Sequence, residues 1–154
     1  IALAKLEEMG KLKAIVTQNI DGLHQAAGSK NVYELHGSVL RNYCMSCNAF
    51  YDEKLILESE GIHTCPKCGG KVKPDVVLYE ESLDSFTIQG AIQSIRSADL
   101  LIVAGTSLTV YPAAGLVNYY RGNRMVLINR DSTPYDYQAD LVFHCSLGEI
   151  FSAI

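Results

Sequence analysis

Four cysteines stand in two pairs, Cys44 with Cys47 and Cys65 with Cys68, with two residues between the members of each pair and seventeen between the pairs. That spacing is the pattern of a zinc ribbon, in which two short knuckles deliver four thiolates to one ion. Four thiolates close a tetrahedral shell and leave no position for water or substrate, so the metal is structural. Its binding free energy becomes folding free energy for a segment that lacks a core of its own. His63, two residues before Cys65, is a weaker candidate ligand that four cysteines make unnecessary. Cys145 reads as a small buried residue near the last strand.

Just ahead of the first cysteine pair stands His36, followed by Gly37 and Ser38. Imidazole is the side chain best suited to moving protons near neutral pH. A lone histidine at a strand end is more often structural than catalytic. The polar cluster of Gln18, Asn19 and Asp21 shifts the reading towards a base, because a base needs neighbours that orient what it deprotonates. His24 is expected to pack or cap a short helix, and His144 carries no motif.

The elements that must hold these groups follow from periodicity. Residues 1–9 carry apolar side chains at helical spacing and end in Gly10; residues 13–17 read as a buried strand; Asp21 is placed to cap a short helix closed by Gly28. Residues 32–35 form a second strand leading into His36. From 39 to 73 the periodicity weakens and the cysteines take over, and residues 72–79 return to strand composition. Residues 83–98 have helical spacing, with Asp84 or Ser85 near the start. Residues 99–105 are a continuous apolar strand of the kind buried on both faces of a parallel sheet. Pro112 suits the first turn of a helix running to Arg121. Residues 125–129 and 141–143 are further strands, and Ser146 with Glu149 fits a capping box.

Strands alternating with helices predict an α/β fold, a parallel sheet with helices on both faces, interrupted by a small zinc-binding insertion. The expected division is 1–38 with 72–154 for the main domain and 39–71 for the metal module. In such sheets ligands gather at the carboxyl ends of the strands. Three polar turns stand there, at 17–21, 105–107 and 129–131. Gly105 lets a ligand approach the backbone, while Thr106 and Ser107 offer hydroxyls near an expected helix start. Asn129 can hold ribose hydroxyls. Each turn alone is ordinary; the three together on one edge favour a nucleotide. No G-x-G-x-x-G occurs.

Composition narrows the partners. The 154 residues are 48% hydrophobic and 19% charged, the profile of a globular protein with a real core. A net charge of -4 argues against a broad nucleic-acid footprint, and the longest apolar run is too short to span a membrane. Paired C-x2-C knuckles suit a reducing compartment, so a cytoplasmic location is expected. The chain opens at Ile1 inside a helical pattern, as a piece of a longer protein would.

The motifs, in order, are T-Q-N-I-D-G-L-H at 17–24, H-G-S at 36–38, C-x2-C twice, K-P-D-V-V-L-Y-E-E at 73–81, G-T-S-L at 105–108, V-Y-P-A at 110–113 and I-N at 128–129. Together they resemble the sirtuins, NAD-dependent protein lysine deacylases. The resemblance implies a Rossmann-like domain with a small zinc module, with NAD and an acyl-lysine meeting between them. It implies that His36 is the general base, acting on a ribose hydroxyl after the acyl oxygen has attacked the anomeric carbon and nicotinamide has left. Asn19 shares in catalysis and, with Gln18 and Asp21, surrounds the nicotinamide and its ribose. Gly105, Thr106, Ser107 and Asn129 would contact the ADP portion, and Val76, Val77, Leu78 and Tyr79 would run beside the substrate peptide as an added strand. The products would be deacylated lysine, nicotinamide and an O-acyl-ADP-ribose.

Two departures stand out. The family usually has F-G-E where this chain has Tyr79-Glu80-Glu81, which puts a charge beside the peptide groove and suggests a bias towards basic flanks or a particular acyl group. The family's G-A-G-I-S-type and G-I-P-D-F-R-like segments lie upstream of this region, so the stretch by itself is expected to bind NAD poorly and turn over little. Rival readings are protein mono-ADP-ribosylation, which cleaves the same cofactor for another acceptor, and a non-catalytic NAD-sensing module.

Overall fold

A computed structural model describes residues 1–58 and 60–153. Helix α1 (Ala2–Glu8) leads to β1 (Ile15–Thr17), α2 (Leu23–Ala26) and β2 (Val32–Glu34). β1 and β2 pair in parallel, with Ile15 opposite Val32. The expected cap of α2 is displaced: Gly22 occupies the N-cap position, and the Asp21 carboxylate accepts from the Leu23 amide at 3.0 Å.

An antiparallel sheet follows, built from β3 (Gly37–Cys44), β4 (Phe50–Asp52) and β5 (Val72–Val76), with α3 (Glu53–Leu57) after β4. It starts at the residue after His36 and ends at Val76. β3 keeps register with β5 at Gly37 and Ser38, then slips, and resumes opposite Pro74 at Asn42. Residues 39–41 are therefore bulged out, which bends the strand and re-aims its side chains.

Helix α4 (Ser85–Arg96) starts where the sequence signals it, at Asp84, whose carboxylate accepts from the Thr87 amide at 2.7 Å. β6 (Leu101–Ala104), β7 (Met125–Ile128) and β8 (Leu141–Phe143) form a second parallel ladder, and α5 (Leu147–Phe151) follows. The Ser146 hydroxyl caps α5 through the Gly148 amide, one residue earlier than a capping box requires. In place of the expected α-helix after Pro112 there is a 3-10 segment (Ala113–Tyr119).

The expected parallel strands are present, as two ladders, β1–β2 and β6–β7–β8. Hydrophobic composition marks a strand but does not say which strand lies beside it. β6 also departs from two-sided burial: Val103 is buried while Ile102 is 38% exposed. One face packs Val103, Leu108, Val117 and Leu127 into a core with the 3-10 segment. A second core, Leu35, Ala91, Ile95, Ala113 and Leu116, lies under α4 and joins the two ladders.

Candidate active site and metal centre

The turn after β1 and the turn after β2 are stitched together. The Leu35 amide donates to the Thr17 carbonyl at 2.9 Å and the Val39 amide to the Ile20 carbonyl at 3.0 Å. Between these two bonds sits His36, half-buried, with Nδ1 3.1 Å from the Gln18 carbonyl oxygen. A carbonyl can only accept, so Nδ1 carries a proton and the neutral ring has its lone pair on Nε2. That tautomer is the one a base needs. Thr17 accepts the Asn19 amide at 3.0 Å, which fixes the turn in which exposed Asn19 and Asp21 stand.

Gly37 is where this geometry depends on having no side chain. Its φ is +74, and a Cβ there would collide with the backbone carbonyl of Asp75. Gly37→Ala is expected to cost at least about 2 kcal/mol, since the left-handed backbone alone costs a non-glycine residue about 1–2. A drop in thermal midpoint is the check.

β5 runs past this turn, and the Val77 amide donates to the His36 carbonyl at 3.1 Å. Beyond it the Glu81 amide closes a turn onto the Leu78 carbonyl, at 3.1 Å, while the Glu81 carboxylate takes the Leu78 amide at 2.8 Å. The Leu78 amide, with help from Lys73, holds the Glu81 carboxyl below its ordinary range. Tyr79 is 99% exposed. Glu80, in the third position of the turn, has φ +71. The family's usual glycine is the residue that backbone favours.

On the other ladder, Gly105 follows β6 with φ +62, and a Cβ on it would approach Leu147 Cδ1 at 2.9 Å. Its amide donates to the Ile128 carbonyl at 2.9 Å, which brings the 105–107 turn beside Asn129. Asn129 Nδ2 donates to the Asp131 carbonyl at 2.8 Å. Thr106 accepts from the Leu108 amide, and Ser107 pairs with the Thr109 hydroxyl. No helix starts directly after these hydroxyls; the 3-10 segment begins at Ala113, so the expected helix-terminus anion site is not formed there. Leu108 has φ 55 although its side chain is only 4% exposed.

The four Sγ atoms of Cys44, Cys47, Cys65 and Cys68 lie within 4.8 Å of one another. Cys44 and Cys68 are 3.5 Å apart and Cys47 and Cys65 3.6 Å, near the roughly 3.8 Å edge of a tetrahedron with 2.3 Å zinc–sulfur bonds. The donor set fits one zinc ion, and His63 is outside it. The two knuckles mirror each other: Asn48 donates its amide to the Cys44 carbonyl with φ 55, and Gly69 to the Cys65 carbonyl with φ 71. The Tyr51 hydroxyl lies 3.1 Å from Cys65 Sγ. That hydrogen bond is the main reason the Cys65 thiol is lowered to about 6, and it pushes Tyr51 up to about 12. Tyr51 therefore stays protonated beside a thiolate, as a supporting donor for a metal ligand should.

Sequence reading missed Tyr51, and it missed Arg41. The Arg41 guanidinium bonds Glu34 at 2.6 Å and Asp75 at 2.9 Å. Burial works against its charge, but these bonds overcome it and hold its pKa above the ordinary value. The available signal was a charged residue following two apolar ones, Val39 and Leu40, in a strand, and only the bulge gives it meaning.

The family model for the Sir2 family matches residues 1–112. The chain belongs to the Sir2 family. The chain is 70% identical over 155 residues to an NAD-dependent protein deacetylase of Clostridium perfringens, covering 100% of this chain and 64% of that protein. A protein of the same name from Clostridium acetobutylicum is 61% identical, with 99% and 63% covered. The chain therefore spans somewhat less than two thirds of the length of these Sir2 relatives. Among solved structures, a Sir2 complex with a p53 peptide and NAD+ superposes with a TM-score of 0.90 at 42% identity, covering 99% of this chain and 65% of that one. A Sir2 complex with the inhibitor EX-527, 2'-O-acetyl-ADP-ribose and a deacetylated p53 peptide has a TM-score of 0.90 at 39% identity, with 99% and 67% covered. The two ladders with their helices are thus parts of the Sir2 family's Rossmann-like fold, and the four-cysteine cluster is its metal module.

Proposed function

We propose that the protein to which this chain belongs is an NAD-dependent protein lysine deacylase, and that His36 is its general base. The observation that carries the reading is the bond from the Val77 amide to the His36 carbonyl. It joins the candidate base to the strand that would flank a peptide. With Nδ1 held by Gln18, His36 Nε2 takes the proton from a ribose hydroxyl once nicotinamide has left. Asn19 and Asp21, in the turn pinned by Thr17, orient the nicotinamide ribose, while Gly105, Thr106, Ser107 and Asn129 bind the ADP portion. Val76, Val77, Leu78 and Tyr79 seat the peptide. The four cysteines hold a structural zinc that takes no part in the reaction. Four thiols gathered for metal also support a reducing, cytoplasmic setting. Among the described residues no helix is long and apolar enough to cross a membrane.

The test is mass spectrometry of the full-length protein with NAD and an acetyl-lysine peptide. Nicotinamide and O-acetyl-ADP-ribose should form in equal amounts. Transfer of ADP-ribose onto protein without deacylation would replace this reading.

Glu80 separates backbone from charge. Glu80→Gly should raise stability by about 1 kcal/mol by relieving the positive φ. If the Glu80 charge also biases peptide choice, the variant should lose preference for Lys/Arg-flanked acyl peptides over neutral ones. Equal preferences would leave Glu80 with a backbone effect alone.

A further inference from the structure

We propose that Arg41 is a positioning residue for His36, a clamp that fixes the turn carrying the base against the strand leading to the peptide segment. The inference rests on the deacylase reading above.

Arg41 reaches two carboxylates on two different sheets. Nη1 donates to Glu34 Oε2 at 2.6 Å, and Glu34 is the last residue of β2, two before His36. Nε donates to Asp75 Oδ2 at 2.9 Å, and Asp75 pairs with Ser38 and immediately precedes Val76. The Glu34 side chain is only 8% exposed, against 38% for Arg41 and 44% for Asp75. A buried carboxylate needs its cation, so the Glu34 arm is the anchor and the Asp75 arm the outer tie. Planar guanidinium suits the task because its N–H groups diverge at fixed angles; a lysine ammonium is a compact point charge whose three donors rotate freely.

The bulge makes the reach possible. Residues 39–41 have no ladder partners on β5, and Arg41 instead pairs with Asp52 on β4. A regular β3 would have spent these residues on the ladder. The backbone bonds around Gly37 tie the chain within the turn, whereas Arg41 ties it from outside, spanning β2 and β5. His36 sits between the two attachment points.

The Val77 amide bond to the His36 carbonyl survives loss of Arg41 and keeps the peptide strand in place, so a clamp on the base should weigh mainly on the step that uses the base. Nicotinamide leaves before His36 acts, so exchange of labelled nicotinamide into NAD reports on peptide and NAD seating without it. In the full-length protein, Arg41→Met should slow O-acyl-ADP-ribose formation by about tenfold or more, within the roughly hundredfold that an ångström of misplacement can cost, and change nicotinamide exchange by less than about twofold. Asp75→Ala, which removes only the outer tie, should give a smaller change in the same ratio. Equal loss of both activities, or loss of neither, overturns the proposal. If Arg41→Met does not fold, as judged by its melting curve, Asp75→Ala decides: an unchanged ratio overturns it. A parent protein that neither exchanges nor deacylates overturns the deacylase reading, and this inference with it.

Discussion

His36→Ala in the full-length protein is expected to lower acyl transfer by about 10²- to 10⁴-fold, the usual range for removing a positioned general base. Folding should be unaffected, because what ties the turn is main chain: the Leu35 amide to Thr17, the Val39 amide to Ile20 and the Val77 amide to the His36 carbonyl all survive the substitution. Binding of NAD, measured by calorimetry, should stay within about threefold, since one imidazole is lost and no charged contact with it. A variant that retains acyl transfer removes His36 from the mechanism. Unchanged NAD binding in a parent protein that never turns over would favour a sensor instead.

The second large effect concerns the metal. Stripping zinc with a chelator, or replacing Cys65 with serine, is expected to unfold the segment between Cys44 and Val72. The local core there is Cys44, Cys65 and Val72, with Ala49, Tyr51, Leu55 and Ile56 packed around them. Two of the three fully buried members are ligands, so little apolar burial remains once the metal goes. Structural zinc in small knuckle peptides contributes about 10–16 kcal/mol, far more than this cluster supplies alone. Hydrogen exchange should rise in β4 and α3, while α4 and the β6–β8 ladder, which rest on other cores, keep their protection. Protection retained at Tyr51 after complete metal removal would show that the module does not need its ion.

How much of this was legible beforehand differs from residue to residue. The cysteine knuckles were, because their chemistry depends on spacing along the chain. So were His36 with its polar neighbours, and α4 with its cap at Asp84, because capping and periodicity are local. Strand adjacency was not: nothing in residues 13–17 or 99–105 states that β1 pairs with β2 and β6 with β7. The 3-10 form of 113–119 was hidden because its apolar spacing also suits an α-helix. The clamp at Arg41 was hidden more deeply, since Glu34, Arg41 and Asp75 converge only after β3 bulges.

Leu108 and Glu80 share one backbone anomaly and would respond oppositely to one remedy. Both occupy left-handed conformations, at φ 55 and φ 71. Glu80 is exposed, so glycine there sheds strain and leaves nothing unfilled. Leu108 packs with Val103, Val117 and Leu127, so glycine there would relax the chain and hollow out the core beneath the candidate nucleotide turn. An engineer screening this protein for heat resistance should therefore find a gain at the first site. The second is locked, and randomising it should return leucine or a residue of nearly the same volume.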